Sequence, residues 1–226
     1  MNQYEKQIFE LYKNLNIGKS NACTVCKKQN PDLTMPVSIW QVGDAYYESF
    51  YKVLFVGKAA RGTIGTRRGS FMDATERANV LYHSVGWAYW SYTKAIADAL
   101  YPENAWEKIA FTNMVKCNNS ETIDTATNSM KEHCIPILKE EMKLLQPKNV
   151  VFYTNRSYDN QIEKLFDKIT DSISQEVAIG KKRMNAWRFK GVIENCRCRA
   201  IRIGHPERMN KTDYVKFVTD FLKDVL

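Results

Sequence analysis

Four short, almost wholly apolar runs constrain this chain more than any other feature: Val53-Leu54-Phe55-Val56-Gly57, Ile109-Ala110-Phe111-Thr112-Asn113, Val150-Val151-Phe152-Tyr153-Thr154 and Ala200-Ile201-Arg202-Ile203-Gly204. A strand that faces water on one side alternates apolar and polar residues. A strand buried on both faces reads as continuous hydrophobic sequence, the mark of a parallel sheet covered by helices. Stretches of helical spacing lie between the runs, at 85–100, 122–145 and 158–169. A first helix carries Tyr4, Ile8, Leu11, Tyr12 and Leu15 and closes at Ile17-Gly18, and a last one carries Tyr214, Phe217, Val218, Phe221, Leu222 and Val225. This alternation predicts one three-layer α/β domain over 1–226. Ligands of such sheets sit beyond the carboxyl ends of the strands, so the loops opening at Gly57, Asn113, Thr154 and Gly204 are the expected place of function. The segment 172–199 breaks the alternation and is rich in basic residues; a β-hairpin or a long loop is expected there.

The chain has 33 Lys and Arg against 25 Asp and Glu, a formal charge of +8. That excess suits a polyanionic partner and equally suits mere solubility. With 44% hydrophobic and 26% charged residues the composition excludes a disordered or low-complexity chain. No apolar run approaches the roughly 20 residues that cross a bilayer, and the amphipathic N-terminus MNQYEKQIFELYKN is unlike a secretory leader. A soluble, cytoplasmic monomer without membrane association is expected. In that setting six cysteines read as ligands or buried thiols rather than a disulfide framework. Cys23 and Cys26 form a CxxC, whereas Cys117 and Cys134 stand 17 positions apart. A zinc ribbon supplies its second pair as another close CxxC or a His pair, and dispersed thiolates suit an iron–sulfur cluster, with zinc as the alternative. Cys196 and Cys198 read as ordinary strand cysteines.

The words around those cysteines carry a resemblance. Val53-Leu-Phe-Val-Gly-Lys-Ala-Ala-Arg-Gly62, Phe111-Thr-Asn-Met-Val-Lys-Cys117, the Cys134-Ile-Pro136 helix through Lys148, and Gly204-His-Pro-Glu-Arg-Met-Asn210 occur in the order seen in the iron–sulfur branch of the uracil-DNA glycosylase superfamily. The chain resembles families four and five over about residues 20–222, with 172–199 unplaced. The resemblance implies a central four-stranded parallel sheet and a structural [4Fe-4S] cluster on Cys23, Cys26, Cys117 and Cys134. It also implies a DNA glycosylase that flips out a uracil-like or modified pyrimidine and hydrolyses its N-glycosidic bond, in DNA repair or against foreign DNA. A silent base-flipping DNA-binding protein of the same fold is the alternative.

Each motif then acquires a role. Gly57, Lys58 and Ala59 line the substrate, Phe71 stacks on the flipped base, and Asn113 offers an amide donor and acceptor to a pyrimidine edge. His205, held before Pro206, donates to the departing base, a contribution worth about 3 kcal/mol by analogy with an oxyanion donor. Related enzymes tend to carry a carboxylate or amide and a proline shortly after the glycine, whereas this chain reads Gly57-Lys58-Ala59-Ala60-Arg61-Gly62. Either Asp73 orients the water, or the chemistry has moved to Lys58 and Arg61, or been lost. Arg61, Arg67, Arg68, Arg188 and Arg208, with Lys181, Lys182 and Arg183, are the expected phosphate contacts, Trp187 a nucleotide stacker, and Met209 a wedge into the base stack.

Overall fold

The computed structural model describes residues 2–30, 33, 41–61, 79–84, 86–119 and 126–224. Its strands are β1 Gln41–Val42, β2 Val53–Arg61, β3 Ile109–Asn119, β4 Asn149–Phe152, β5 Lys168–Ile179, β6 Lys182–Ile193 and β7 Cys196–Arg202. The helices are α1 Gln3–Asn14, α2 Asn21–Gln29, the helical residues 79–84 (α3), α4 Ala88–Leu100, α5 Asn128–Leu145, α6 Asp159–Leu165 and α7 Lys211–Lys223. The sequence predicts the 158–169 stretch as helix throughout, but β5 has already begun at Lys168.

Together the strands make one α/β sheet of order β1-β3-β2-β4-β7-β6-β5. The α/β class is as expected, and the sheet is wider than four strands and mixed. β2 runs parallel to β3 and β4, and β4 parallel to β7. β1 adds an antiparallel edge to β3, and the unplaced 172–199 segment is built into the antiparallel hairpin β5–β6, which joins β7. A crossover helix makes neighbours parallel, whereas the two-residue turn at Gly180-Lys181 leaves the hairpin no choice but to reverse.

Each face of the sheet carries its own core. Leu54, Val56, Val150, Phe152 and Ala200 meet α1, α2, α5 and α6, while Phe55, Val151, Tyr153 and Ile201 meet α4 and α7. The helices begin where capping residues fall: Asn2 forms a capping box with Glu5, Thr127 caps α5 and Asn210 caps α7. Among the described residues no helix is long and apolar enough to cross a membrane.

One charged residue of the apolar runs is fully enclosed. The Arg202 side chain is 1% exposed, its Nε lies 2.7 Å from Asp159 Oδ1, its Nη2 donates to Asp159 Oδ2 at 2.7 Å, and its Nη1 donates to Asn185. This fork ties β7 to the start of α6 and to the hairpin. Burial raises the Asp159 carboxyl above its usual range, and the Arg202 guanidinium opposes that rise. Arg202→Leu removes that opposing charge, so ionising Asp159 then costs folding energy as pH rises through the carboxylate range. The variant's deficit is expected to be about 2 kcal/mol at neutral pH and to shrink below about pH 4, as read by urea unfolding at both values.

Candidate functional site

The motif residues gather where the parallel strands end, but not on loops. β4 stops pairing with β2 at Val56↔Phe152, whereas β2 and β3 continue as a two-stranded ribbon through Gly57↔Asn113 and Ala59↔Val115. Gly57 and Asn113 are therefore cross-strand partners within the ladder, a correction to their expected place on loops. The pairing explains the glycine: a Cβ at position 57 would sit 2.3 Å from Asn113 Oδ1 and 3.5 Å from the Tyr89 hydroxyl. Only a residue without a side chain lets the Asn113 amide lie across β2. Asn113 is itself 4% exposed.

Asn113 is held from beneath by a buried charge pair. Lys116 and Glu141 have side chains 1% exposed and stand 2.6 Å apart. The three Lys116 ammonium protons go to Glu141 Oε2, to Thr112 Oγ1 at 2.8 Å and to the Asn113 carbonyl at 2.6 Å. Glu141 also accepts from the Thr112 hydroxyl at 3.0 Å and from the Tyr12 hydroxyl. Burial and the Glu141 charge push the Tyr12 phenol well above its usual range, so it stays a donor. One network thus joins α1, β3 and α5 and clamps the backbone on which Asn113 sits.

Two further side chains, which sequence reasoning missed, complete the cluster. The Tyr89 ring on α4 stacks on His205 at 5.9 Å and 28°, and packs edge-on to Tyr153 and Phe111. Burial, with the Tyr153 phenol second, raises its hydroxyl well above the usual range, so Tyr89 faces the site as a neutral phenol. The other is Asn155, which follows β4 with φ 51° and ψ −176°, a conformation that residues other than glycine rarely adopt. With its amide nitrogen donating to Ser157 Oγ and to the Thr154 carbonyl, its oxygen accepts from Lys58 Nζ at 3.3 Å. Asn155 lies on the loop opening at Thr154, which topology had marked. Tyr89, beside Trp90 in an aromatic helix, gave no signal apart from core packing.

His205 lies on the turn after β7. Its Nδ1 accepts the Glu207 backbone N–H at 3.3 Å, which in the neutral ring places the proton on Nε2. Pro206 is buried beneath the turn, and Arg208, 82% exposed on its side chain, takes φ 64°. Met209 packs partly buried against the α4–α7 core, and its carbonyl accepts from the Tyr92 hydroxyl, so it is a packing residue in this structure. The hairpin tip reaches the same turn: Gly180, at φ +60°, passes so close to Asn210 that a Cβ would lie 2.8 Å from the Asn210 Cβ. Lys181, Lys182 and Arg183 are exposed beside it.

Two expected nucleic-acid contacts are displaced. Trp187 is 6% exposed, its Nε1 donates to Ser172 Oγ at 2.8 Å and its ring lies against Phe189, so it is a core residue and no platform for a nucleotide. Arg188 places its guanidinium 4.8 Å over the Phe217 ring of α7. Strand alternation is the reason, because it sends Trp187 to one covered face and Arg188 to the other. Arg61 ends β2, partly buried Ala59 packs against the core, and Arg67, Arg68, Phe71 and Asp73 lie outside the described residues.

Cys23 and Cys26 stand on α2, Cys117 on β3 and Cys134 on α5. Burial raises the Cys134 thiol to about 12, with Cys23 and Cys26 adding to the rise; burial, then Cys134, Cys23 and Cys26, likewise push Cys117 well up. The Gly18 N–H donates to Cys23 Sγ at 3.2 Å and the Lys116 N–H to Cys134 Sγ at 3.4 Å, the hydrogen bonds that bound thiolates use. In donor type, four cysteines are the set that an iron–sulfur cluster takes. Among the described residues no three His, Cys, Asp or Glu converge to hold one metal ion. Cys196 and Cys198 are buried strand residues, as expected.

No family model matches this sequence, and no curated protein matches it significantly.

The Lys116–Glu141 pair yields a prediction. Lys116→Met leaves a buried carboxylate without its cation and is expected to cost about 3–5 kcal/mol in chemical denaturation. Adding Glu141→Leu removes the stranded charge and is expected to restore most of that loss.

Proposed function

We propose that this protein is a monofunctional DNA glycosylase that takes a uracil-like or modified pyrimidine out of the stack and hydrolyses its N-glycosidic bond. The observation that carries the reading is the Asn113 amide, held across Gly57 at the end of the parallel strands beside the Tyr89–His205 stack. An amide presents a donor and an acceptor together, the pattern a pyrimidine edge requires. Further support comes from the parallel run β3-β2-β4-β7, which fits the expected glycosylase fold.

In this reading Asn113 reads the base edge while Tyr89 and His205 form the aromatic wall. The bond breaks as the base departs with negative charge on its O2 and positive charge grows on the sugar. Nε2–H of His205 donates to that oxygen, because its Nδ1 is engaged by Glu207. Asp73 is proposed to orient the attacking water. Lys58, tethered to Asn155, is proposed to meet a phosphate or a substituent on the base. Arg208 and the exposed tip residues Lys181, Lys182 and Arg183 would meet the DNA backbone. Cys23, Cys26, Cys117 and Cys134 would hold a [4Fe-4S] cluster, whose role when bound is to fasten α2 to β3 and α5.

A second reading, a silent base-flipping DNA-binding protein, draws on Lys58 standing where a water-orienting carboxylate or amide belongs. Turnover separates the two. Protein purified without oxygen is incubated with DNAs bearing uracil or modified pyrimidines, and free base is read by mass spectrometry. Base release is expected, with Asn113→Ala and His205→Ala each slowing it by about 10²–10³-fold. Tight DNA binding with no base released from any substrate would leave the silent reading, and rates unaltered by both variants would place the chemistry elsewhere.

A further inference from the structure

A second charged surface lies on the outer strands, away from the cluster around Asn113. Lys148, Lys168, Lys190, Arg197 and Arg199 line a hollow of about 500 Å³ over β5, β6 and β7. Register explains why they meet. Lys190 pairs with Arg199, Val192 with Arg197 and Lys168 with Val192, so these side chains share one face of the sheet. Lys148 stands just before β4, where its carbonyl accepts from the Arg199 N–H.

Folding accounts for only part of this arrangement. Lys190 and Arg199 are like charges directly opposite each other, a pairing that destabilises a sheet. Asp171 answers Lys190 at 2.8 Å, and Arg199 donates to the Phe221 carbonyl. Lys168 and Arg197 are exposed and form no ion pair among the described residues.

The shape and the rim indicate the kind of anion. The N–H groups of β6 are spent on its two neighbours, and those of the edge strand β5 lie in the plane of the sheet rather than over the hollow, so it offers no backbone cradle for one compact phosphate. Its cations instead spread over three adjacent strands, about 5 Å from one strand to the next, and along β7, where Arg197 and Arg199 stand about 7 Å apart. That spread matches a line of phosphates. Beside the hollow lies Phe50, 63% exposed, with the Lys148 ammonium 5.7 Å from its ring and bonded to its carbonyl at 3.2 Å. An exposed aromatic next to a row of cations is the arrangement that stacks an unpaired base while holding its backbone.

We infer that the β5–β6–β7 face binds single-stranded nucleic acid, with its phosphates along Lys148, Lys168, Lys190, Arg197 and Arg199 and a base on Phe50. This inference does not rest on the excision reading, since it requires no damaged base and no residue of the Asn113 cluster. The test is fluorescence polarisation of the full chain with an undamaged, labelled single-stranded DNA of about 20 nucleotides across a salt series. Lys168→Glu with Arg197→Glu is expected to weaken binding at least about tenfold at 0.1 M salt and to make the slope of log affinity against log salt shallower by between one and two. Phe50→Ala is expected to weaken single-strand binding about tenfold and leave duplex binding unchanged. A control with the same change of charge, Lys6→Glu with Lys13→Glu, is expected to cost less than about threefold.

The inference is overturned if the control costs as much as the groove variant. It is overturned equally if Lys168→Glu with Arg197→Glu weakens duplex binding as much as single-strand binding, or if millimolar inorganic phosphate displaces the DNA, which would make the hollow a small-anion site. Circular dichroism checks that the exposed substitutions leave the fold intact, and Phe50→Ala tests the same surface without altering charge. Base release is read separately, so loss of one activity does not imply loss of the other.

Discussion

The buried pair Lys116–Glu141 is the interaction on which the rest of the site depends. Removing two charges from water costs several kcal/mol for each ion, and that cost is recovered only when geometry and hydrogen bonding are complete. Here they are: all three ammonium protons have acceptors, and the carboxylate takes donors from Lys116, Thr112 and Tyr12. Because the donors come from β3 and α1 and the carboxylate from α5, the network forms only when those three elements are in register. One of its bonds ends on the Asn113 carbonyl, so the same condition that permits the buried charge sets the backbone of the residue proposed to read the base.

The ribbon formed by β2 and β3 beyond the end of β4 turns that constraint into a surface. Where the four neighbouring parallel strands run side by side, Val53–Val56, Ile109–Thr112, Val150–Phe152 and Ala200–Arg202 are buried on both faces. Past Phe152 β2 has no further strand partner on the β4 side among the described residues, and the absent side chain at Gly57 leaves space that the Asn113 amide occupies. Turns from β4 and β7 then bring Asn155 and His205 to the same edge. The outer hairpin extends the sheet in the other direction, with its tip beside the His205 turn and its base forming the cationic hollow.

What could be read from sequence follows from the range of each interaction. The four apolar runs were legible because burial on both faces writes itself into consecutive residues, and all four are strands. The helices of the first and last segments were legible by their period, and caps moved their ends by a few residues. The ribbon was not, because pairing continues through Lys58 and Lys116 after the apolar run stops; strand extent is set by the partner strand. Glu141, 25 residues from Lys116, looks like one more polar position on a long helix. Met184, Ala186, Trp187 and Phe189 carried the signal of a strand within 172–199, but β5 is exposed along nearly all its length and offers no period to match. The composition around Trp187 suggested a nucleic-acid contact, whereas alternation along β6 buries it.

The central claim is that Asn113, Tyr89 and His205 form a receptor for a pyrimidine, and binding of free bases tests it without requiring turnover. Uracil, a modified pyrimidine, cytosine and adenine would each be titrated into uniformly ¹⁵N-labelled protein while the backbone amide of Gly57, the side-chain amide of Asn113 and the ring nitrogens of His205 are followed. The account requires those three signals to shift together and saturate with at least one pyrimidine but not with adenine. If they stay in place with every base, or if adenine moves them as readily, the cluster at the strand ends is no pyrimidine site and the account is wrong.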